Sequence, residues 1–306
     1  MQKSYLMTLY EIAEKDPEVM LLLADSGSGY ENLFLQHLPG RMFDFGIAEE
    51  NMVAAAAGMA SCGKIPFVYT ASAFLSYRSM EFLRDDVCLQ KRNVKLIGMG
   101  TGLGWSTLGP THHTTEELGI LRAMPHLTVL SPSDSLRTAE CVRLAYETEG
   151  PVYVRIGMGG EPVIYDEADA PKKGENRMLR EGKDAVVFST GTILPEVLNA
   201  ADTLAEEGIR IRVIDVCRVK PFDEAAVLRE LETTDTVFTA EEHSVTGGLG
   251  TAVAEVLAAN GKPAAFHKIG LDNVFAKGYG TQQEVRMQNG LDAAGIVEQI
   301  RTFYRR

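Results

Sequence analysis

No run of apolar residues in this chain reaches the length of a membrane span, and cysteine, tryptophan and surplus positive charge are all scarce. The four cysteines among its 306 residues, Cys62, Cys88, Cys141 and Cys217, are scattered and form no Cys-x-x-Cys pair. That spacing excludes a disulfide framework or a zinc ribbon and suits free thiols in a reducing cytoplasm. Thirty basic residues stand against forty-two acidic ones, a formal net charge of −12. Such a balance argues against nucleic acid or an anionic membrane as partner, while leaving room for a local phosphate pocket. Several catalytic signatures are missing too: there is no Walker phosphate loop, no serine nucleophile elbow and no His-Glu-x-x-His zinc helix. Gly100-Thr101-Gly102-Leu103-Gly104 follows a strand pattern as a dinucleotide fingerprint would. Trp105, however, stands where the third glycine belongs, and no helix pattern opens there. Met1-Gln2-Lys3-Ser4 leads into an amphipathic helix pattern without the apolar core of a signal peptide, so a cytoplasmic location is expected.

What is present is an ordinary globular composition, 45% hydrophobic and 24% charged, over a length that suits two domains. Helical and strand periodicities alternate. The first set reads as strands near 19–23, 42–45, 65–69, 94–99, 127–130 and 152–156, with helices near 4–15, 74–91, 114–123 and 134–148. Periodicity fades through Gly159-Gly160-Glu161-Pro162 and Ala170-Pro171-Lys172-Lys173-Gly174. A second set then follows, with strands near 185–188, 211–216 and 236–240 and helices near 194–207, 223–231, 247–259 and 293–304. Strands separated by helices imply mostly parallel sheets covered on both faces, because parallel neighbours need a crossover element. The expected fold is therefore α/β, two consecutive three-layer α/β/α domains, over residues 1–165 and 183–306 with a linker at 166–182.

Candidate chemistry gathers at the ends of the first set of strands. A short strand pattern ending in Asp44-Phe45-Gly46 meets an Ala-rich, buried-looking helix headed by Glu49, so an acid is carried toward the interior at a helix start. An acid there also complements the positive end of the helix dipole. Aromatics follow on the next connection, Phe67, Tyr69, Phe74 and Tyr77, and beyond a third strand comes Gly109-Pro110-Thr111-His112-His113. In an open parallel sheet such connections converge on one edge, where ligands bind. His113 and Glu117 have a spacing that puts both on one helix face, a pair that is more often a solvated or capping contact than a set of metal ligands.

These residues carry a family resemblance. Gly46-Ile47-Ala48-Glu49-Glu50-Asn51-Met52 resembles the transketolase motif Gly-Ile-Arg-Glu-His-Ala-Met, and Thr70 to Tyr77 resembles its Tyr-Thr-Ser-Thr-Phe-Leu-Met-Phe stretch. Gly102-Leu103-Gly104 with Gly109-Pro110-Thr111-His112-His113 resembles Gly-Leu-Gly-Glu-Asp-Gly-Pro-Thr-His-Gln. Three motifs in order make the chain look like the C-terminal half of a transketolase, its pyrimidine-binding domain followed by its terminal domain.

The resemblance implies thiamine diphosphate as cofactor and a two-carbon ketol transfer between sugar phosphates as activity. It implies that Glu49 is the carboxylic acid bonded to the cofactor's aminopyrimidine, a role that burial suits by favouring the protonated form of an acid. Glu50 stands at the family's His and points roughly 100° away around the helix. Phe74 and Tyr77 match aromatics of the pyrimidine pocket, Asp25 an Asp of the cofactor region, and His112 a catalytic His at the substrate. The chain also departs from the family. Leu108 stands at an Asp that reads a sugar hydroxyl, Gly98 at a phosphate-contacting His, and Trp105-Ser106-Thr107 lengthens the loop. Lys3 is the nearest substitute for an N-terminal Arg, and Arg155 is a further candidate anion ligand. The Gly-Asp-Gly run that holds the diphosphate's metal is absent from the sequence. A partner, the N-terminal transketolase subunit, is therefore expected to supply Mg2+ or Ca2+ and the diphosphate site, with no metal held by this chain. The expected assembly is a homodimer of this subunit within a heterotetramer. Alternatives are the beta subunit of a 2-oxo acid dehydrogenase, a 1-deoxyxylulose-5-phosphate-synthase-like enzyme, or a non-catalytic scaffold subunit.

Overall fold

The computed structural model describes residues 1–27, 29–166 and 173–304; residues 167–172 of the expected linker lie outside that description. By its packing the chain divides into two units, Met1–Thr101 with Ala123–Gly174, and Gly102–Arg122 with Glu175–Arg306. Both are α/β with mostly parallel sheets, as the alternation of patterns implies.

In the first unit β1 (Val19–Leu23), β2 (Met42–Asp44), β3 (Ile65–Ala71), β4 (Lys95–Met99), β5 (Thr128–Leu130) and β6 (Val152–Ile156) lie in the order β5-β6-β4-β3-β1-β2. All neighbours among them are parallel. Every residue of β1, β4 and β6 is buried, which requires cover on both faces; β1 is an unbroken apolar run, while β4 and β6 each bury one cation, Lys95 and Arg155. The helices Gln2–Ala13 and Ser135–Glu147 pack together, and the helix Glu49–Ser61 packs on β3. Register aligns the strand ends: Leu23 stands beside Tyr69 and Tyr69 beside Ile97, and one step further Thr70, Gly98 and Arg155 form the next row. That row marks the carboxyl edge of the sheet, the place where such folds bind ligands.

One expected helix takes another form. The stretch near 74–91 consists of a π-helical turn, Phe74–Arg78, a short α-helical segment, Met80–Phe82, and a second π-helical turn, Leu83–Cys88. Ser79 N–H reaches back to the Phe74 carbonyl at 3.3 Å and Leu89 N–H to that of Arg84 at 2.9 Å, both five residues away. Apolar spacing signals helix but not its pitch. Such wide turns cluster at functional sites.

The second unit contains β7 (Arg177–Arg180), β8 (Ala185–Ser189), β9 (Ile211–Asp215), the short β10 (Arg218–Lys220), β11 (Thr236–Ser244) and β12 (Ala265–Leu271). Five of them form a sheet in the order β12-β11-β8-β9-β7, parallel except for β7, which runs antiparallel along one edge. Helices Leu194–Glu206, Glu224–Glu230, Leu249–Ala259, Gln282–Gln288 and Ala293–Tyr304 complete it. Its core is built from Val186, Phe188, Ile214, Val237, Val253 and their neighbours. β7, β12 and the helix Gln282–Gln288 have no counterpart in the periodicity. β7 is a half-exposed edge that needs few apolar residues, and β12 interrupts its run with His267, Lys268 and Gly270. The helix is mostly polar and is started by a capping box between Thr281 and Glu284.

Candidate active site

The acid of the first unit is positioned by local rules. Gly46 has φ +64°, a left-handed turn with no neighbour crowding its missing side chain, so the backbone angle alone explains the glycine. The Asp44 carboxylate accepts from Gly46 N–H at 2.9 Å and from Asp25 N–H at 3.3 Å, which ties the ends of β1 and β2 to the turn. The helix then begins at Glu49, and its buried residues, Glu49, Met52, Val53, Ala56 and Ala57, fall at i, i+3, i+4, i+7 and i+8. Glu49 heads that stripe and is 1% exposed. Glu50, next around the helix, is only half-buried.

The π-helical turn brings two side chains to this acid. Arg78 donates from Nη1 to Glu49 Oε2 at 2.6 Å, and its guanidinium carbon lies 4.5 Å from the centre of the Phe74 ring. Phe74 and Tyr77 are half-buried in the same turn, while the Arg78 side chain is 38% exposed. A buried carboxylate, an aromatic ring beside it and an N–H-donating planar cation on both form a donor set that fits a flat, nitrogen-rich heterocycle. The Arg78 guanidinium is a stand-in of that shape. Arg78 had not been singled out in the sequence; the signal available was a lone Arg four residues after a candidate ring.

The other candidates of the first unit are placed less closely. Asp25 follows β1 with φ +46° and is exposed. Phe67 and Tyr69 belong to the core of β3, with Tyr69 5.0 Å from the Tyr5 ring and its hydroxyl on Met99 Sδ at 2.9 Å. Burial pushes the Tyr69 hydroxyl well above the usual tyrosine range. Lys3 is exposed, its ammonium 5.8 Å from the centre of the Tyr30 ring. Arg155 is 1% exposed on β6, beside Gly98 in the sheet. The room a side chain at Gly98 would need is already filled, since a Cβ there would lie 2.2 Å from the Tyr153 hydroxyl and 3.0 Å from Ser72 Oγ. That hydroxyl and Ser72 Oγ share a hydrogen bond of 2.7 Å.

The Gly-Pro-Thr-His-His loop belongs to the second unit. Gly102 and Thr114 bridge through Gly102 N–H to Thr114 Oγ1, 2.8 Å, and Thr114 N–H to the Gly102 carbonyl, 2.9 Å. Ser244 N–H donates to the Thr115 carbonyl at 2.6 Å, and Gly119 N–H to His243 Nε2 at 3.3 Å. Leu103 N–H donates to Glu242 Oε2 at 3.1 Å, and a Cβ on Gly102 would collide with Glu242 at 2.6–2.7 Å. Gly102 thus serves close approach to a buried acid on β11, and Gly109 close approach to the Tyr279 ring, which a Cβ there would meet at 2.2 Å. His112 is half-buried, its Nδ1 2.9 Å from Thr111 Oγ1 and its ring 6.2 Å from that of Trp105. His113 is buried, and burial lowers its pKa below the usual histidine value. Glu117 lies 4.0 Å from His243 Nε2, which accounts for it as part of a buried polar cluster. Leu108 is exposed. Sequence reasoning missed Glu241, Glu242 and His243; three consecutive charged or polar residues closing an apolar strand pattern were the available signal.

A parallel sheet with an acid and an aromatic at its carboxyl edge, followed by a second α/β unit, defines a two-domain α/β protein with a site for a flat heterocycle. Residues 1–158 match the transketolase pyrimidine binding domain and residues 174–296 the transketolase C-terminal domain. The chain belongs to the transketolase family, which is thiamine diphosphate-dependent. It is 38% identical to the 6-deoxy-6-sulfo-D-fructose transketolase subunit SqwH of Clostridium sp. (strain MSTE9), over 97% of this chain and 92% of that one. Identity is also 38% to the 1-deoxy-D-xylulose-5-phosphate synthase of Chlorobium luteolum, across 97% of this chain but 47% of the synthase. A solved split-gene transketolase, an inactive beta4 tetramer, superposes with a TM-score of 0.90 at 35% identity, covering 99% of this chain and 98% of that one. Among the described residues no helix is long and apolar enough to cross a membrane.

Proposed function

We propose that this chain is the C-terminal subunit of a split transketolase that moves a two-carbon ketol unit between sugar phosphates with thiamine diphosphate. Its pyrimidine-binding domain spans 1–165, although residues 102–122 group with the second unit, its linker 166–182, whose end forms β7 of the second sheet, and its C-terminal domain 183–306. The observation that carries the reading is Glu49, a buried acid at a helix head with a flat N–H-donating cation on it that also lies over the Phe74 ring.

When bound, thiamine diphosphate supplies the carbon nucleophile that attacks the donor ketose. Glu49 would hold the cofactor's aminopyrimidine by a proton placed at the ring nitrogen farthest from the amino group, the role of a general acid at that atom. Phe74 and Tyr77 receive the ring on an apolar face and keep water from the reacting carbon. Asp25 borders the cofactor at the end of β1. His112 donates to the oxygens of the donor as charge develops, while Arg155 and Lys3 answer the sugar's phosphate. Leu108 and Gly98 remove two polar contacts, so the enzyme discriminates differently at the matching sugar positions. A panel of ketose phosphates together with the sulfonate 6-deoxy-6-sulfo-D-fructose, the sugar in one relative's name, tests this. Strict preference for xylulose 5-phosphate counts against it.

The metal, Mg2+ or Ca2+, and the diphosphate are held by a partner N-terminal subunit, and two copies of this chain sit in a heterotetramer in the cytoplasm, serving carbohydrate metabolism. A ring stack and one hydrogen bond contribute only a few kcal/mol after desolvation, an affinity of roughly millimolar. Calorimetry of thiamine diphosphate against the isolated chain and against the chain with its partner and magnesium tests this. The expected result is tightening by several orders of magnitude with the partner. Micromolar, magnesium-dependent binding by the isolated chain overturns it. A second reading, a deoxyxylulose-phosphate-synthase-type condensation, is favoured by the 38% identity to that synthase over 97% of this chain. Turnover with pyruvate as donor in place of a ketose separates the two.

A further inference from the structure

We propose that Arg78 is the resident occupant of the aminopyrimidine's place on Glu49, and that displacing it sets how tightly the chain takes its cofactor. This rests on the cofactor reading above and deepens it. Arg78 sits on one carboxylate oxygen of Glu49 at 2.6 Å and lies 4.5 Å from the centre of the Phe74 ring. The acid is 1% exposed and the arginine side chain 38%, so the guanidinium closes the solvent side of a buried charge.

Removing a partner from a buried carboxylate is costly, so some donor has to hold that position while the cofactor is away. A guanidinium shares with an aminopyrimidine its flatness, its edge of N–H donors and its affinity for aromatic faces. The two cannot share one carboxylate oxygen and one ring. Cofactor binding is therefore an exchange, in which the gain from the pyrimidine is offset by loss of the Arg78 pair. Arg78 needs only to swing toward solvent, because Phe74–Arg78 is a single π-helical turn whose last residue faces outward. Exchange also explains a dependence on a partner. A pyrimidine bound by stacking and one acid barely outcompetes a tethered cation, and the diphosphate contacts supply the difference.

The test uses the full chain and 4-amino-5-hydroxymethyl-2-methylpyrimidine, a probe without the diphosphate. Calorimetry compares wild type, Arg78→Met and Arg78→Lys, each checked for folding by circular dichroism. Arg78→Met is expected to bind the probe roughly tenfold more tightly than wild type, since a charge-assisted hydrogen bond no longer competes. Arg78→Lys, which keeps the charge and loses the flat stack, falls between them and carries the test if the Met variant does not fold. Methylguanidinium at millimolar concentration should compete with the probe on Arg78→Met and raise that variant's lowered thermal midpoint toward wild type. Equal or weaker probe binding by the variants, or no competition and no recovery with methylguanidinium, overturns the proposal. Failure of the wild-type chain with its partner and magnesium to take thiamine diphosphate overturns the cofactor reading instead, whatever methylguanidinium does.

Discussion

Glu49 in the first unit and Glu242 in the second are both buried acids, 1% and 0% exposed, and their surroundings could hardly differ more. Glu242 accepts from Leu103 N–H at 3.1 Å, from Gln282 Nε2 at 3.0 and 3.1 Å, from Thr192 Oγ1 at 3.4 Å and from Arg286 Nε. Arg286 is itself held by the Thr192 carbonyl at 2.8 Å and by Glu196 at 3.4 Å. Leu103, Thr192 and Arg286 are buried and Gln282 half-buried, and the Leu103 contact ties the loop that carries His112 to β11. Among the described residues, Glu49 has a single hydrogen bond, from a side chain that faces solvent. An acid whose lone pairs are filled from inside is a structural clamp. An acid with one replaceable, outward-facing partner is free to change partners, as a working group has to.

The comparison breaks or sharpens under mutation. The largest effect belongs to Glu49→Gln, which keeps the shape and removes the acid. Turnover of the assembled enzyme should fall by roughly a hundredfold to ten-thousandfold while the thermal midpoint stays near wild type. Near wild-type turnover ends the catalytic assignment. Arg286→Met, by contrast, leaves Glu242 short of its charged partner in the interior and should cost about 3–5 kcal/mol in urea unfolding. Faster hydrogen exchange at Leu103 and Gly119 would accompany it, and unchanged stability would erase the contrast between the two acids.

A smaller effect follows from Gly98→Ala. Its Cβ would come 2.2 Å from the Tyr153 hydroxyl, an overpacking that costs about 1–3 kcal/mol. Adding Tyr153→Phe should return part of that, read as a thermal shift; full tolerance of the alanine alone would mean the row next to Arg155 is roomier than it looks. The smallest effect concerns a buried ion of the opposite sign. Lys95 is fully buried, donates from Nζ to the carbonyls of Thr148 and Gly150, and is pushed by burial down to about 7, against the opposing pull of Glu149. The unfolded chain keeps that proton up to its ordinary value of 10.5, so between pH 7 and 10.5 unfolding takes up a proton and stability rises with pH. Comparing wild type with Lys95→Met by denaturant unfolding at pH 7.5 and 9.5 should reveal a rise of about 1 kcal/mol per pH unit that only wild type has. Parallel curves would show that Lys95 does not titrate there.

Much of the first unit was legible because its signals are local. Strand 19–23 is a continuous apolar run and 152–156 is one broken only by Arg155, and both appear in the structure at those bounds. The position of Glu49 follows from helical period alone, since residues 49, 52, 53, 56 and 57 share one face. Gly46 was readable as the turn before it. Weaker local signals failed where tertiary packing overrides them. β12 is a strand because it lies parallel to β11, although its own residues read poorly as one. The loop after β4 groups with the second unit because β11 holds it.

By itself the sequence determined most of the alternation of strands and helices in the first unit, part of it in the second, and the burial of one acid at a helix head. Periodicity and turn residues act over a few positions and need no knowledge of the rest of the chain. Tertiary structure alone decided which groups meet: Arg78 on Glu49 across 29 positions, the Tyr153 hydroxyl in the room at Gly98, and Leu103 N–H on Glu242 across 139. Those meetings depend on the order of strands in a sheet and on the pitch of a π-helical turn. Neither is written in the spacing of apolar residues, because periodicity tells a side chain which way to face and not what it will find there.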